Sequence, residues 1–208
     1  MSHPSLNTQP DVSRETTSRL EQYVALLLKW NGTINLIGRA TVDDIWDRHI
    51  ADSLQLMGLI TPDTARIADL GSGAGLPGLV IACCLPDAPI TLVERDQRKA
   101  AFLLQAAQEL GLKRVRVIAK SLETIDETFD IITARALTSL DLLCGFAWPL
   151  MGVNTICLFP KGADFAREIE EAQRNWQFSY QLHPSITNEK SCIISLTKLS
   201  LKEPKGIR

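Results

Sequence analysis

The chain has 208 residues, of which 45% are hydrophobic and 22% charged, with a formal net charge of −2. That length holds one domain with a buried core. The charge excludes binding to nucleic acid by bulk attraction, so any such contact must come from local clusters. The clusters are Arg95, Arg98 and Lys99; Lys113, Arg114 and Arg116; and Lys198, Lys202, Lys205 and Arg208, each of which also reads as solvated surface. No apolar run reaches the roughly 18 residues that span a bilayer. Five scattered cysteines without a C-x-x-C pair imply free thiols in a reducing cytoplasm. Three dispersed histidines give no metal set.

Residues 1–12 are a polar lead-in without a signal-like hydrophobic segment, expected to be flexible. Leu20, Tyr23, Val24, Leu27 and Leu28 recur at helical spacing, which predicts an amphipathic helix from Ser13 to Trp30. "NGTINLIG" interrupts it, and Val42, Ile45, Trp46, His49, Ile50 and Leu54 mark a second helix with Thr41 as N-cap. These helices make up an N-terminal extension, 13–64. From Ala65 strands and helices alternate: "ARIADL", "PITLVE", "RVRVIA", "FDIITA" and "TICLFP" are strands, with helices over "GLVIACCL", "QRKAAFLLQAAQEL" and "SLDLLCGFAWPL". A last helix, "ADFAREIEEAQRNW", precedes two β-like runs, "FSYQLHP" and "SCIISLTKL", with no helix between them. The pattern predicts an α/β fold, a mostly parallel, doubly wound sheet over 65–200 ending in an antiparallel hairpin strand, then a tail, 201–208. In such a sheet the ligand crevice lies at the carboxyl ends of the strands.

The first strand runs into "ADLGSGAGLPG", which can be read in two frames. Gly73, Gly75 and Gly78 spell the dinucleotide fingerprint, whose ligand places a pyrophosphate on a helix N-terminus. Gly71, Gly73 and Gly75 behind Asp69 suit S-adenosylmethionine, whose sulfonium and ammonium groups favour a carboxylate. Asp69 can equally serve the loop by accepting its amides. Glu94, 21 residues after Gly73, ends the second strand at the spacing of an acid that accepts ribose hydroxyls, which both ligands have. Ser121, Leu122 and Glu123 follow the third strand, where Leu122 could wall an adenine ring and Ser121 could cap a helix. Arg135 follows the fourth strand, where many methyltransferases keep their chemistry, but neither the Asn/Asp-Pro-Pro-aromatic box used on exocyclic amines nor the Pro-Cys pair used on pyrimidine C5 is present. A nicotinamide oxidoreductase, a methyltransferase of another substrate and an RNA-binding scaffold remain open on these residues alone.

The order of "KWNGTINLIG", "RHIADSL", "DLGSGAGLPG", "FDIITARA" and "PKG" resembles the bacterial 16S rRNA guanine-N7 methyltransferase family, also called glucose-inhibited division protein B, from about Leu20 to Ile169. The resemblance implies a class I methyltransferase fold using S-adenosylmethionine. Its target would be N7 of a guanine (guanine 527) in the 530 loop of 16S rRNA, free or within the small ribosomal subunit, and the enzyme would act as a cytoplasmic monomer. It places the cofactor at Gly71, Leu76, Glu94, Leu122, Glu123 and Arg135. Asn35, Arg48, His49, Asp52, Ser53 and Lys161 fall in its other motifs, Asn35, Arg48, Ser53 and Lys161 on the substrate side. Arg95 departs from the small residue the family usually has after the acid.

N7 carries a lone pair and no proton, so the reaction requires neither a strong base nor a covalent nucleophile. Aligning N7, methyl and sulfur is the enzyme's task. Arg135 and Lys161 are expected to hold the nucleotide through phosphate or the guanine O6 edge. His49 either lines the same mouth or faces the core, since it falls on the apolar stripe.

Overall fold

The computed structural model describes residues 13–60 and 66–202. The lead-in 1–12, the segment 61–65 and the end of the tail, including Lys205 and Arg208, lie outside the described residues. Seven strands form one sheet: β1 (Ile67–Leu70), β2 (Ile90–Val93), β3 (Val115–Ile118), β4 (Phe129–Thr133), β5 (Met151–Lys161), β6 (Trp176–Pro184) and β7 (Cys192–Leu201). Their order is β3-β2-β1-β4-β5-β7-β6. Strands β1 to β5 run parallel, β7 lies antiparallel to β5, and β6 is antiparallel to β7. The predicted hairpin ending is therefore present. The order changes direction at β1, with β2 on one side and β4 on the other, which opens a crevice at their carboxyl ends.

Both faces of the central strands are covered, so every residue of β1 and β2 is buried, the polar Asp69 and Thr91 included. Successive residues still point to opposite faces. Ile67 joins a cluster with Leu20, Leu27, Leu79 and Phe102, while Ala68 and Leu70 join one with Leu143, Phe159 and Ile169. The first face is packed by α1 (Arg14–Asn31), α3 (Gly78–Cys84) and α4 (Gln97–Glu109), the second by α5 (Leu140–Ala147) and α6 (Phe165–Asn175), with α2 (Asp52–Leu54) beside α3. Ser13 caps α1, its Oγ accepting the Thr16 amide at 3.1 Å. Tyr23 on α1 is fully buried, and its hydroxyl donates to the Ala74 carbonyl at 2.7 Å. The N-terminal extension thus shares the core of the sheet and pins the glycine loop.

The second expected helix takes a different form. A 3-10 turn covers Arg39–Thr41, a π-helical turn Trp46–Ala51, and a second 3-10 turn, Gln55–Leu59, follows α2. Thr41 is not an N-cap: its Oγ1 donates back to the Gly38 carbonyl at 2.9 Å and closes a local turn. Ser53 Oγ donates to the His49 carbonyl at 2.7 Å, inside the widened turn. π-turns of this kind are frequent at functional sites. This one carries Arg48 and His49 to the crevice.

Candidate active site

Four strand ends meet around a cleft of about 640 Å³. Gly71, Gly73 and Leu76 line it from the loop after β1, Glu94 from β2, Leu122 and Glu123 from β3, and Arg135 with Leu137 from β4. Glu94 is buried, with Oε2 accepting the Gly73 amide at 2.9 Å and Oε1 the Asp96 amide at 2.8 Å. Each oxygen retains a lone pair for a further donor, such as a hydroxyl. Gly71 has φ +65°, and a Cβ there would stand 2.5 Å from Leu137 Cδ1. Ala136, itself at φ +52°, precedes Leu137 in this crowded turn. A side chain at Gly71 is thus excluded by backbone conformation and by contact.

The glycines divide by direction. Gly71 and Gly73 face the cleft, whereas a Cβ at Gly75 would strike Leu79 at 2.4 Å and one at Gly78 would strike Leu92 at 2.3 Å and Asp69 at 2.7 Å. Gly75 therefore serves the packing of the turn and does not line the cleft. Asp69 is likewise absent from the lining. It is fully buried on the α3 face of β1, accepting the Gly78 amide at 3.2 Å and the Thr133 hydroxyl at 3.0 Å. The expected cation partner is instead a buried brace between β1, β4 and the start of α3. Burial pushes its carboxyl up to about 6, although hydrogen bonds from Thr133, Ser72 and Gly78 oppose the shift.

A second chamber of about 600 Å³ adjoins the first, and His49 and Arg135 to Thr138 line both. Arg135 connects the two. Its Nη1 donates to Asp52 Oδ2 at 3.0 Å and to the Arg48 carbonyl at 3.3 Å, and its Nη2 lies 3.1 Å from His49 Nδ1. Arginine only donates, so His49 Nδ1 accepts and Nε2 carries the ring proton, directed at Thr41 Oγ1 at 2.8 Å. Burial, then the Arg135 charge, lowers the His49 pKa to about 4. The imidazole is therefore neutral at physiological pH, with both nitrogens engaged.

Asp52 is the hub of the second chamber. Its Oδ1 accepts Gln55 Nε2 at 2.8 Å and Thr187 Oγ1 at 3.0 Å, while Gln55 Oε1 accepts the Ile186 amide at 3.1 Å. The extension, the β4 loop and the β6–β7 hairpin loop are tied together there. Lys161, 8% exposed, also lines this chamber, but its Nζ donates to the Thr138 carbonyl and to Glu168 Oε2, both at 2.7 Å. Glu168 Oε2 in turn accepts the Leu140 amide at 2.7 Å and caps α5.

The structure thus brings Arg48, His49, Arg135 and Lys161 to the second chamber. It leaves Asn35 and Ser53 outside both. Ser53 is fully buried and bonded to His49, and Asn35 is an exposed loop residue. Asn31 organises that loop, its Oδ1 accepting the Leu36 and Ile37 amides at 2.8 and 3.0 Å. Sequence reasoning missed Tyr23, Asn31, Gln55 and Thr187. Tyr23 left one trace, a hydroxyl on an otherwise apolar stripe; Gln55 and Thr187 are 132 residues apart and left none.

The family profile described as GidB, rRNA small subunit methyltransferase G, matches residues 16–194. The ribosomal RNA small subunit methyltransferase G of Cereibacter sphaeroides is 44% identical over 205 residues, covering 96% of this chain and 99% of that protein. The chain belongs to the rRNA small subunit methyltransferase G family. The Rhodopseudomonas palustris protein of the same name is also 44% identical, covering 89% of this chain and 81% of its own length. Among solved structures, the glycopeptide N-methyltransferase MtfA, complexed with S-adenosylmethionine, superposes with a TM-score of 0.61 at 9% identity, over 72% of this chain and 93% of that one. The fold of the chain is thus the class I methyltransferase fold that the resemblance implied.

Proposed function

We propose that this S-adenosylmethionine-dependent rRNA methyltransferase transfers its methyl to N7 of guanine 527 in the 530 loop of 16S rRNA. The observation that carries the choice of atom is that, among the described residues, no proton acceptor beside Arg135 is free: the Asp52 carboxylate already accepts from Arg135, Gln55 and Thr187. His49 is neutral with both nitrogens engaged. Burial raises all five thiols, Cys83, Cys84 and Cys144 to about 12 and Cys192 to about 11, so no cysteine supplies a thiolate. An amine or hydroxyl acceptor would benefit from such a base; guanine N7 has no proton to lose.

The cleft fits the cofactor. At the start of α3, where a dinucleotide would rest its pyrophosphate, the Gly78 amide is already held by the Asp69 carboxylate. Glu94 is placed for ribose hydroxyls, Leu76 and Leu122 for the adenine faces, and Glu123 for its polar edge. Bound there, S-adenosylmethionine supplies an electrophilic sulfonium methyl.

Arg135 retains two unengaged N–H donors, Nε–H and one on Nη2. A bidentate grip on O6 and N7 would block the attacking lone pair. Its donors therefore suit an oxyanion, or O6 alone, and leave N7 free. Lys161 acts at one remove, fixing the Thr138 carbonyl of the shared wall. Arg48, exposed at the second mouth, is left for the RNA backbone. We assign residues 13–64 the role of closing the acceptor side, and place the reaction in the cytoplasm, with the enzyme acting as a monomer on the small subunit or its rRNA. The test is to delete the gene and map 7-methylguanosine in 16S rRNA by borohydride and aniline cleavage. Loss of one cleavage, at guanine 527, is expected; persistence of every such mark overturns the proposal.

A further inference from the structure

At the opposite end of the sheet the starts of β1 to β4 enclose a groove of about 350 Å³ that the methyl-transfer site does not use. Its cations are Arg66, Lys113, Arg114 and Arg116, and one carboxylate, Glu127, lies among them. Arg66 and Arg116 are held in place: both pair with Glu127, at 3.0 Å for Arg66, while Arg116 also donates to Thr91 Oγ1 and Arg66 stacks over the Phe129 ring. Lys113 and Arg114 are different. They are exposed, precede the edge strand β3, and their side chains make no hydrogen bond or ion pair among the described residues. The nearby Asp130 carboxylate accepts the Arg66 backbone amide. The residues lining the groove carry an excess of three positive charges, or two with Asp130 counted, in a chain of net charge −2, at the far end of the sheet from the cleft.

We infer that this groove is a second contact for the phosphodiester backbone of the RNA substrate, with Lys113 and Arg114 meeting successive phosphates while Glu127 keeps Arg66 and Arg116 oriented. Four-residue strands separate the groove from the cleft by about 13 Å. With the packed sheet lying between them, no small ligand reaches both sites, but a folded RNA that passes around the protein can. Arginine and lysine in a groove recognise phosphate without reading bases, which suits a contact that orients the substrate and leaves selection of the guanine to the cleft. The inference rests on the substrate being RNA and not on which atom receives the methyl.

The test compares the full-length wild type with the double variant Lys113→Ala/Arg114→Ala, measuring binding to naked 16S rRNA over a series of salt concentrations. Two lost phosphate contacts should lower affinity roughly 10- to 30-fold near physiological salt and reduce the slope of log K against log salt by about 2. The variant Lys113→Arg/Arg114→Lys should restore both, and S-adenosylmethionine affinity should be unchanged in either, which reports an intact fold. Wild-type affinity and slope in the double alanine variant would overturn the inference. So would a loss seen with the assembled small subunit but not with naked rRNA, which would assign the groove to a ribosomal protein. Failure of the N7 assignment leaves the salt slope unaffected, so the two outcomes are separable.

Discussion

The two chambers that meet at Arg135 are built on different principles. The cleft proposed for the cofactor is largely backbone: glycines that admit a ligand, amides held by Glu94, and apolar walls. The acceptor chamber is a mesh of polar side chains, Asp52, Gln55, Arg135, Lys161, Glu168 and Thr187, gathered from segments up to 135 residues apart. The first arrangement admits a ligand common to many enzymes of the fold. The second fixes the shared wall between the chambers, on which the proposed choice of nucleotide rests. Arg135 and Leu137 belong to both, so perturbing them tests whether the chambers act as one site.

The largest effect is expected at Arg135. Arg135→Ala should reduce methylation by about 10²- to 10³-fold, as loss of one well-aimed donor does elsewhere. Arg135→Lys should not rescue it, since an ammonium cannot reproduce the planar set of donors held by Asp52 and His49. A single-turnover assay decides this, and wild-type turnover would separate the acceptor chamber from catalysis. Gly71→Ala comes next, with cofactor affinity falling by about tenfold to a hundredfold from left-handed strain and the clash with Leu137. Adding Leu137→Ala should recover the part due to the clash alone, and a calorimetric double-mutant cycle reads the difference.

Lys161 should behave otherwise. With its ammonium engaged by Thr138 and Glu168 and only 8% exposed, Lys161→Met should cost about 3 kcal/mol of stability. Chemical denaturation would show it, and Lys161→Met/Glu168→Leu should recover much of the loss. A large fall in turnover with unchanged stability would instead return Lys161 to direct substrate contact.

The smallest effect is a pH balance between Asp69, buried beneath the glycine loop, and His49, which lines both chambers. Asp69, raised to about 6 from 3.8, contributes stability that is present below its unfolded pKa and lost as pH rises to 6. His49, lowered from 6.5 to about 4, contributes stability present above 6.5 and lost as pH falls toward 4. Between pH 4 and 6 the two oppose each other. Thermal melts of His49→Gln should expose a decline in stability with rising pH over that interval, relative to wild type. Asp69→Asn should expose the reverse trend. Parallel curves for all three proteins would show that neither group titrates with folding.

The division between the chambers is also a division in what could be read before folding. Strand–helix alternation marked the parallel strands, and the signal was strongest where both faces are buried, in β1 and β2; the edge strands β3 and β6 are partly exposed and were marked by alternating or β-branched runs. The cleft was legible at Gly71, Glu94, Leu122 and Arg135, since each lies in the segment after a strand and the crevice of a doubly wound sheet lies at strand ends. Asp69 was not legible in this way. An acid beside a glycine loop can face a ligand or brace a helix, and only the alternation of β1, which aims Asp69 beneath Gly78, decided between them. Ser53 likewise sits in a shared motif yet turns into the core.

By itself the sequence determined the fold class, the family and most of the residues that line the cleft, because short contiguous motifs encode turns and strand ends. Tertiary structure alone decided the acceptor chamber: the π-turn that carries His49 to Arg135, the hub at Asp52, and the hairpin loop held by Gln55 and Thr187. Those contacts join residues whose local sequence is ordinary polar surface, and no spacing along the chain records that folding brings them within 3 Å or so of one another.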